Sequence, residues 1–271
     1  IIDNTFPTPI LCKPISFGAD IVIQSLHKTL PALTQTAILH VKSEYVDIHK
    51  LEFFLQTFQT SSPSYILMSS AFESINYMAS ADKNDVVKSY YSKLTNLREQ
   101  INSLKNIYLF DSKTKGVFNY DNSKLIICHK HLSGDKVMSL LREKYKCELE
   151  MSSLKYAIAM TSIADSDIGY QKLLDALREI DNITLLNNEN KSLLISYPKT
   201  SQALSPYKAS TKIARSFTYN DAIGRISSET LYLYPPGIPF IVSGEVVTEE
   251  IADLLNSIEK NDFSLKGIVH K

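Results

Sequence analysis

The chain has 271 residues, of which 44% are hydrophobic and 21% are charged, so it can form a sizeable packed core and global disorder is disfavoured. Its 29 basic and 29 acidic residues balance to zero net charge, which argues against a nucleic-acid or membrane-surface binder. The three cysteines are scattered and form no CxxC pair, which argues against a metal or disulfide framework and fits a cytoplasmic location.

The first part of the chain predicts the end of an α/β sheet followed by helices. The continuous apolar run Ile21-Val22-Ile23 is typical of a buried parallel strand. Short strands are predicted at 1–3, 21–23 and 36–43. Helical patterns follow at 47–58, at 65–78 and in a long amphipathic segment from 87 to 104. Because the chain opens without methionine in what resembles a core strand, we expect it to be the C-terminal part of a longer protein.

The second half predicts a small α+β sandwich and a separate C-terminal segment. Strands are predicted at 106–111, 124–130 and 155–162. Helices are expected to begin after a capping Ser133 and after Asp165 or Asp167. The polar stretch 185–194 resembles a linker, and a final helix is expected to begin at Thr248. These patterns divide the chain into three parts: 1–105, with a bridging helix at its end, 106–182 and 183–271.

A lysine stands where a buried strand should end. Lys28 follows the apolar run closely, and an enzyme that attacks a carbonyl requires a neutral amine in a dry pocket. Ser25 can bind a phosphate, and Asp3 ends a neighbouring strand, where a carboxylate can hold a protonated pyridine nitrogen. A Schiff-base lysine, a phosphate-binding hydroxyl and such a carboxylate are the parts that a pyridoxal 5'-phosphate site requires. The alternative for Lys28 is a surface lysine that extends from a strand end.

Three segments resemble the Orn/Lys/Arg decarboxylase family, which uses pyridoxal phosphate and has the aspartate-aminotransferase fold. They are "QSLHKTLPALTQTAILH" around Lys28, "TSSPSYILMSS" from Thr60, and "GRISSETLYLYPPGIPFIVSGEVVTEEI" from Gly224. The likeness is greatest to the small arginine/lysine decarboxylases of Gram-positive bacteria. It implies an α/β fold: the end of a large three-layer sheet domain of fold type I, then a C-terminal α+β domain. In that family the glycine-rich phosphate loop lies upstream of the matching region.

Two features depart from the family pattern. Asp3-Asn4-Thr5-Phe6-Pro7 stands where the family has Asp-Glu-Ala-His-Gly, and the spacing from Asp3 to Lys28 is a few residues shorter. Both features resemble the cystathionine synthase/lyase family, but that family has a glycine-rich turn after its lysine, and this chain does not. Asp3 and Lys28 keep the same roles under either resemblance, whereas the substrate pocket near Phe6 differs.

The resemblance assigns roles to individual residues, and each has an ordinary structural alternative. His27 is catalytic or a hydrogen-bonded core histidine, Ser25 a phosphate ligand or a strand cap, and Asp3 a pyridine-nitrogen partner or a turn residue. The assigned catalytic residues are Lys28 and His27; the assigned cofactor-binding residues are Lys28, Asp3, Ser25, His27, Thr5, Ser61 and Ser62; the assigned substrate-binding residues are Arg225 and Glu245. Structural salt bridges explain Arg225 and Glu245 equally well. His129 and His131 are expected at the surface, the remaining carboxylates are expected on solvated helix faces, and no metal site is predicted.

The sequence therefore favours a decarboxylase of a basic amino acid, arginine first and then lysine or ornithine, with pyridoxal 5'-phosphate bound at Lys28. The expected assembly is a cytoplasmic homodimer or larger homo-oligomer that binds neither nucleic acid nor membrane. One alternative is a pyridoxal-phosphate-dependent sulfur-amino-acid lyase. Another is a truncated, non-catalytic chain. The 271 residues alone are expected to turn over substrate poorly.

Overall fold

The computed structural model describes residues 1–7, 12–42, 44–81, 85–110, 116–117, 120–153, 155–183, 197–234, 237–260 and 265–267. The chain divides into two compact units, Ile1–Asn190 and Lys191–Lys271. The predicted linker at 185–194 lies outside the described residues. None of the helices in the described ranges is long and apolar enough to cross a lipid bilayer.

The first sheet contains three strands, β1 (Ile2–Asp3), β2 (Ile21–Ser25) and β3 (Ala37–Val41), in that order. β1 pairs with β2 in parallel, whereas β3 pairs with β2 antiparallel. The three predicted strands are therefore confirmed. β1 is exposed rather than buried, with Ile1 80% and Ile2 44% accessible, because β2 is its only partner strand among the described residues.

Three helices follow this sheet: α1 (Ile48–Phe58), α2 (Tyr65–Ala81) and α3 (Val86–Asn102). The Asp47 carboxylate caps α1 by accepting a hydrogen bond from the backbone N–H of Lys50 at 3.0 Å. All three helices were predicted. The buried face of α3 consists of Tyr90, Leu94, Leu97 and Ile101, whereas the neighbouring Tyr91 is exposed.

A four-stranded sheet with two helices forms the predicted small sandwich. Its elements are β4 (Ile107–Phe110), β5 (Lys124–His129), α4 (Gly134–Glu143), β6 (Met151–Ser152), β7 (Ala157–Met160) and α5 (Asp167–Asp181). The strand order is β4-β5-β7-β6, and all pairs are antiparallel. Its core includes the fully buried residues Leu125, Ile127, Leu141, Leu177 and Ile180, which pack in one cluster with the buried face of α3.

Two details of this sandwich differ from the prediction. Ser166, not Asp165 or Asp167, caps α5, and its hydroxyl accepts a hydrogen bond from the N–H of Gly169 at 3.1 Å. The Asp165 carboxylate instead accepts one from the N–H of Ser162 at 2.7 Å. The predicted cap of α4 is confirmed, since Ser133 accepts from the N–H of Lys136 at 3.2 Å.

The turn between β6 and β7 packs tightly against the start of α4. A Cβ atom on Gly134 would lie 1.9 Å from the backbone oxygen of Tyr156 and 2.3 Å from that of Ser153. Only glycine permits this approach. The turn itself is closed by a hydrogen bond of 2.8 Å from the N–H of Ser153 to the oxygen of Tyr156. The turn is thereby held against the start of α4.

The second unit contains α6 (Pro206–Ser210), β8 (Leu231–Leu233), β9 (Pro239–Ile241), α7 (Glu249–Lys260) and β10 (Leu265–Lys266). Its antiparallel sheet has the order β10-β8-β9. The apolar face of α7 packs on this sheet through Ile251, Leu255 and Ile258. The predicted final helix is confirmed, and Thr248 accepts from the N–H of Ile251 at 3.3 Å. Pro235 and Pro236 lie outside the described residues.

Candidate active site

The end of β1 and the turn after β2 lie at one edge of the first sheet. Asp3 pairs with Ile23 in a parallel register, and the N–H of Asn4 continues the pairing by donating to the Ile23 oxygen at 2.7 Å. The carboxyl ends of parallel neighbours meet at the same sheet edge, which is where ligands bind in open α/β sheets. Asp3 and the turn that carries Lys28 therefore lie at the same edge of the sheet.

Two buried leucines fix the turn that carries Lys28. Leu26 and Leu30 are 2% and 7% exposed, and the N–H of Leu30 donates to the Leu26 oxygen at 2.9 Å. The N–H of Leu26 also donates to the Thr36 oxygen at 3.1 Å. Burying two leucine side chains contributes roughly 1.5–3 kcal/mol each, so the backbone on either side of Lys28 is anchored.

The amine of Lys28 is ion-paired. Its Nζ lies 2.7 Å from Oε1 of Glu150, and the two side chains are 31% and 25% exposed. The Phe6 ring centroid lies 5.2 Å from the same nitrogen. The dry pocket predicted for this amine is wrong, because Glu150 pairs with it and the Lys28 side chain is partly exposed to solvent. Glu150, expected on a solvated helix face, lies instead directly before β6.

Ser25 and His27 form a hydrogen-bonded pair beside Lys28. The Ser25 hydroxyl lies 3.1 Å from Nδ1 of His27, and the same nitrogen lies 3.3 Å from the Thr36 oxygen. With its hydrogen on Nδ1 the ring donates to the Thr36 oxygen, and with its hydrogen on Nε2 it accepts from the Ser25 hydroxyl.

Asp3 is an exposed carboxylate whose charge is stabilised by Thr5. Oδ1 of Asp3 accepts hydrogen bonds from the Thr5 hydroxyl at 2.5 Å and from the Thr5 N–H at 3.0 Å. These bonds, the hydroxyl first, lower the pKa of Asp3 below its usual 3.8. Oδ2 has no hydrogen-bond donor among the described residues, so it is available to a ligand.

Replacing Thr5 by valine is expected to raise the pKa of Asp3, because the larger of the two stabilising hydrogen bonds is lost while the side-chain shape is kept. Carboxyl chemical shifts recorded by NMR across an acid titration measure this change. Thr57→Val is the matched control, because the Thr57 hydroxyl donates to the Phe53 backbone oxygen at 2.7 Å and not to Asp3. An unchanged Asp3 midpoint in Thr5→Val would show that the backbone N–H alone sets it.

Two buried polar atoms next to these residues have no hydrogen-bond partner among the described residues. They are Nδ2 of Asn4 and Oγ1 of Thr29, and both residues are only 2% exposed. Asn4 follows Asp3, and Thr29 follows Lys28. An unsatisfied buried polar group costs about 1–3 kcal/mol, so such atoms are expected where a polar ligand completes the site. An amine, a carboxylate, a hydroxyl, an imidazole and these two donors fit the functional groups of pyridoxal phosphate.

The predicted phosphate ligands Ser61 and Ser62 have only local contacts of their own. Both are exposed in the segment between α1 and α2, and the N–H of Ser62 donates to the Thr60 hydroxyl at 3.2 Å. No hydrogen bond joins either serine to the residues around Lys28 within the described ranges. Their role as ligands toward a neighbouring subunit remains a prediction.

The predicted substrate residues Arg225 and Glu245 lie on adjacent segments of the second unit. The Arg225 guanidinium lies over the Phe217 ring, 4.0 Å from its centroid. Its Nε donates to the backbone oxygen of Asp221 at 2.9 Å. Both Glu245 oxygens are engaged, one by the Thr200 hydroxyl at 2.6 Å and the other by the Val242 N–H at 2.7 Å. Within the described part of the chain the two residues form no ion pair. Their local contacts are those of structural residues.

Sequence reasoning missed Glu150 and misplaced His129. Glu150 stands between Leu149 and Met151, and a carboxylate flanked by apolar residues before a strand was the available signal. His129 is 6% exposed rather than at the surface, and its Nδ1 accepts from the N–H groups of His131 and Leu132. Among the residues that the structure describes, no group of histidine, cysteine or acidic side chains could hold a metal.

Comparison with known families identifies the chain. Residues 5–146 match the family model described as Orn/Lys/Arg decarboxylase, major domain, and residues 190–270 match the one described as Orn/Lys/Arg decarboxylase, C-terminal domain. The chain belongs to the Orn/Lys/Arg decarboxylase family. This membership confirms the resemblance and favours a decarboxylase over a sulfur-amino-acid lyase.

Individual curated relatives are consistent with this family membership. The chain is 31% identical over 252 residues to an arginine decarboxylase of Bacillus anthracis, covering 90% of this chain and 50% of that protein. It is 31% identical over 243 residues to an arginine decarboxylase of Bacillus subtilis, covering 86% and 49%. The chain thus spans about half the length of the curated relatives that it matches.

Solved structures show the same fold. The constitutive lysine decarboxylase of E. coli superposes with a TM-score of 0.74 at 16% identity, over 91% of this chain and 47% of that one. The Francisella novicida lysine decarboxylase gives a TM-score of 0.71 at 18% identity, also over 91% and 47%. The predicted fold class, the end of a fold-type-I sheet domain followed by a C-terminal α+β part, is confirmed.

Proposed function

We propose that the chain is the part of a pyridoxal-phosphate-dependent decarboxylase of basic amino acids that carries the cofactor-binding lysine. The observation that supports this most strongly is the position of Asp3 and Lys28 at one edge of a parallel strand pair. Family membership gives the reaction class. The three-part division at 105 and 182 is kept as part of this proposal.

The residues at the sheet edge can each hold one part of the cofactor. The Lys28 amine would bind the aldehyde, and Oδ2 of Asp3 would accept a hydrogen bond from the ring nitrogen. Ser25 and His27 would contact the phosphate, and Thr5 would lie against the ring. Ser61 and Ser62 would reach the phosphate of a neighbouring subunit, so we propose a homodimer or larger homo-oligomer.

When bound, the cofactor would supply an electron sink for the pair left by the departing carbon dioxide. Asp3 keeps its negative charge over a wide pH range, because Thr5 lowers the pKa of its carboxyl. It would therefore keep the ring nitrogen protonated. A proton must then return to the substrate carbon. A protonated Nε2 of His27 or the ammonium of Lys28 would deliver it.

The proposed substrates are arginine first, then lysine or ornithine, and the products are the corresponding amines. The curated relatives named above are arginine decarboxylases, which supports this order. Arg225 and Glu245 remain proposed substrate residues. The engagement of both Glu245 oxygens by Thr200 and Val242 favours a structural role for that carboxylate.

The test is to add pyridoxal phosphate to the purified chain, record its absorbance, reduce with borohydride and map the modified peptide. Support would be a visible band and one reduced adduct, on Lys28. Carboxyl-labelled arginine, lysine and ornithine then report released carbon dioxide, with cystathionine as the rival substrate. Adducts scattered over exposed lysines, or keto acid formed from cystathionine without carbon dioxide from any basic amino acid, would overturn the proposal.

A further inference from the structure

The contact between Lys28 and Glu150 joins two parts of the first unit that are 122 residues apart in sequence. Lys28 belongs to the turn after β2, whereas Glu150 precedes β6 in the sandwich. Their side chains are 31% and 25% exposed, and Nζ of Lys28 lies 2.7 Å from Oε1 of Glu150. Ion pairs that are shielded in this way are screened less by salt than fully exposed ones.

The position of Glu150 is set by the sandwich rather than by Lys28. Its backbone N–H donates to the Ile158 oxygen at 2.9 Å, which adds one more rung to the β6–β7 ladder. The turn that follows is closed against Gly134. The backbone of Glu150 is therefore fixed by a strand hydrogen bond. Its position does not change with that of Lys28, as the position of a mobile loop could.

The surrounding charges do not offer Glu150 a second close partner. Lys124 is near enough for the Glu150 charge to raise its pKa, although burial outweighs this and lowers the pKa of Lys124 overall. Lys124 is itself paired with Asp121 at 3.2 Å. Among the described residues, Lys28 is the cation within ion-pair distance of Glu150.

We infer that Glu150 is a positioning residue that holds the amine of Lys28 in the cofactor-free chain and must release it when the cofactor is loaded. In the ion pair the amine is an ammonium, whose nitrogen has no lone pair to attack a carbonyl. Loading requires that the ammonium lose one proton to solvent, that the nitrogen form the C=N bond with the aldehyde carbon, and that the aldehyde oxygen depart as water with the other two hydrogens of the nitrogen. Glu150 therefore slows loading, and this inference rests on the proposed function of Lys28.

The experiment compares the rate at which pyridoxal phosphate labels Lys28 in the full 271-residue chain and in Glu150→Gln, by borohydride quenching at timed intervals and peptide mass mapping. Glutamine keeps the shape but removes the charge. Labelling of Lys28 is expected to be about threefold to tenfold faster in Glu150→Gln, as the loss of one partly shielded ion pair implies. Glu150→Asp restores a carboxylate and should return the rate toward that of the unmodified chain.

Glu148→Gln is the matched control. Glu148 lies two residues earlier, is 65% exposed, and pairs with Arg142 instead. Its replacement should leave the labelling of Lys28 unchanged.

Equal labelling rates in Glu150→Gln and Glu148→Gln would overturn the inference while leaving the proposed function in place. Absence of label on Lys28 in every variant would overturn both. Faster labelling in Glu150→Gln, without carbon dioxide release from any basic amino acid, would support the inference and count against the proposed function.

Discussion

Replacing Lys28 by arginine is expected to reduce cofactor labelling at this position from stoichiometric to background, and any carbon dioxide release on the order of 1,000-fold or more. Arginine keeps the positive charge, so the contact with Glu150 and the anchored turn are retained. A guanidinium, however, does not form the covalent bond with the aldehyde. Absorbance in the visible region and peptide mass mapping after borohydride reduction measure the loss.

Lys124→Arg is the informative control for this experiment. Burial lowers the pKa of Lys124, which favours its neutral form and makes it a candidate for adventitious labelling. Its side chain is 13% exposed, and it is paired with Asp121. If Lys124→Arg removes the label and Lys28→Arg does not, the cofactor lysine has been assigned to the wrong residue.

Replacing Asp181 by alanine is expected to lower the free energy of unfolding of the first unit by about 3 kcal/mol. The carboxylate accepts three backbone hydrogen bonds, from the N–H groups of Lys105 at 2.9 Å, Asn106 at 2.6 Å and Ile107 at 2.8 Å. It thereby ties the end of α5 to the start of β4. Alanine leaves these three donors without their acceptor in a buried place.

The same carboxylate makes stability depend on pH. Burial opposes its charge, but the three backbone donors outweigh burial, so the pKa of Asp181 in the folded chain is lower than the usual 3.8. Its contribution is complete above the unfolded value and is lost as the pH falls through the folded one. Asp181→Ala should therefore flatten the acid side of the stability curve.

Urea unfolding followed by far-ultraviolet circular dichroism at several pH values measures both effects. The matched control is Asp175→Ala on the same helix, where an exposed carboxylate pairs with Arg178 at 3.0 Å. Its loss should cost less than about 1 kcal/mol. Similar destabilisation by the two substitutions would show that the three backbone contacts of Asp181 contribute little.

The local part of the candidate site could be predicted from the sequence because its members are near in sequence or joined by one strand pairing. Ser25, His27 and Lys28 belong to one turn, and Asp3 is carried to the same edge by the parallel pairing of β1 with β2. Glu150 could not be predicted in this way. Its contact with Lys28 depends on how the sandwich packs on the sheet, which no local pattern encodes.

The remaining differences have similar physical causes. β6 has two residues, too few for any periodicity to be visible. Ser166 and the aspartates beside it are equally good capping residues by type, so the choice among them depends on the geometry of the preceding turn. The antiparallel direction of β3 follows from its short connection to β2, which leaves no room for a crossover helix.

The separation between Lys28 and Glu150 also has a consequence during protein synthesis. Ribosomes add about 5–20 residues per second. Glu150 is added 122 residues after Lys28, which takes about 6–24 s at those rates. During this interval the nascent chain already contains the lysine and lacks its carboxylate. A chain that meets its cofactor while still on the ribosome never has to break the ion pair.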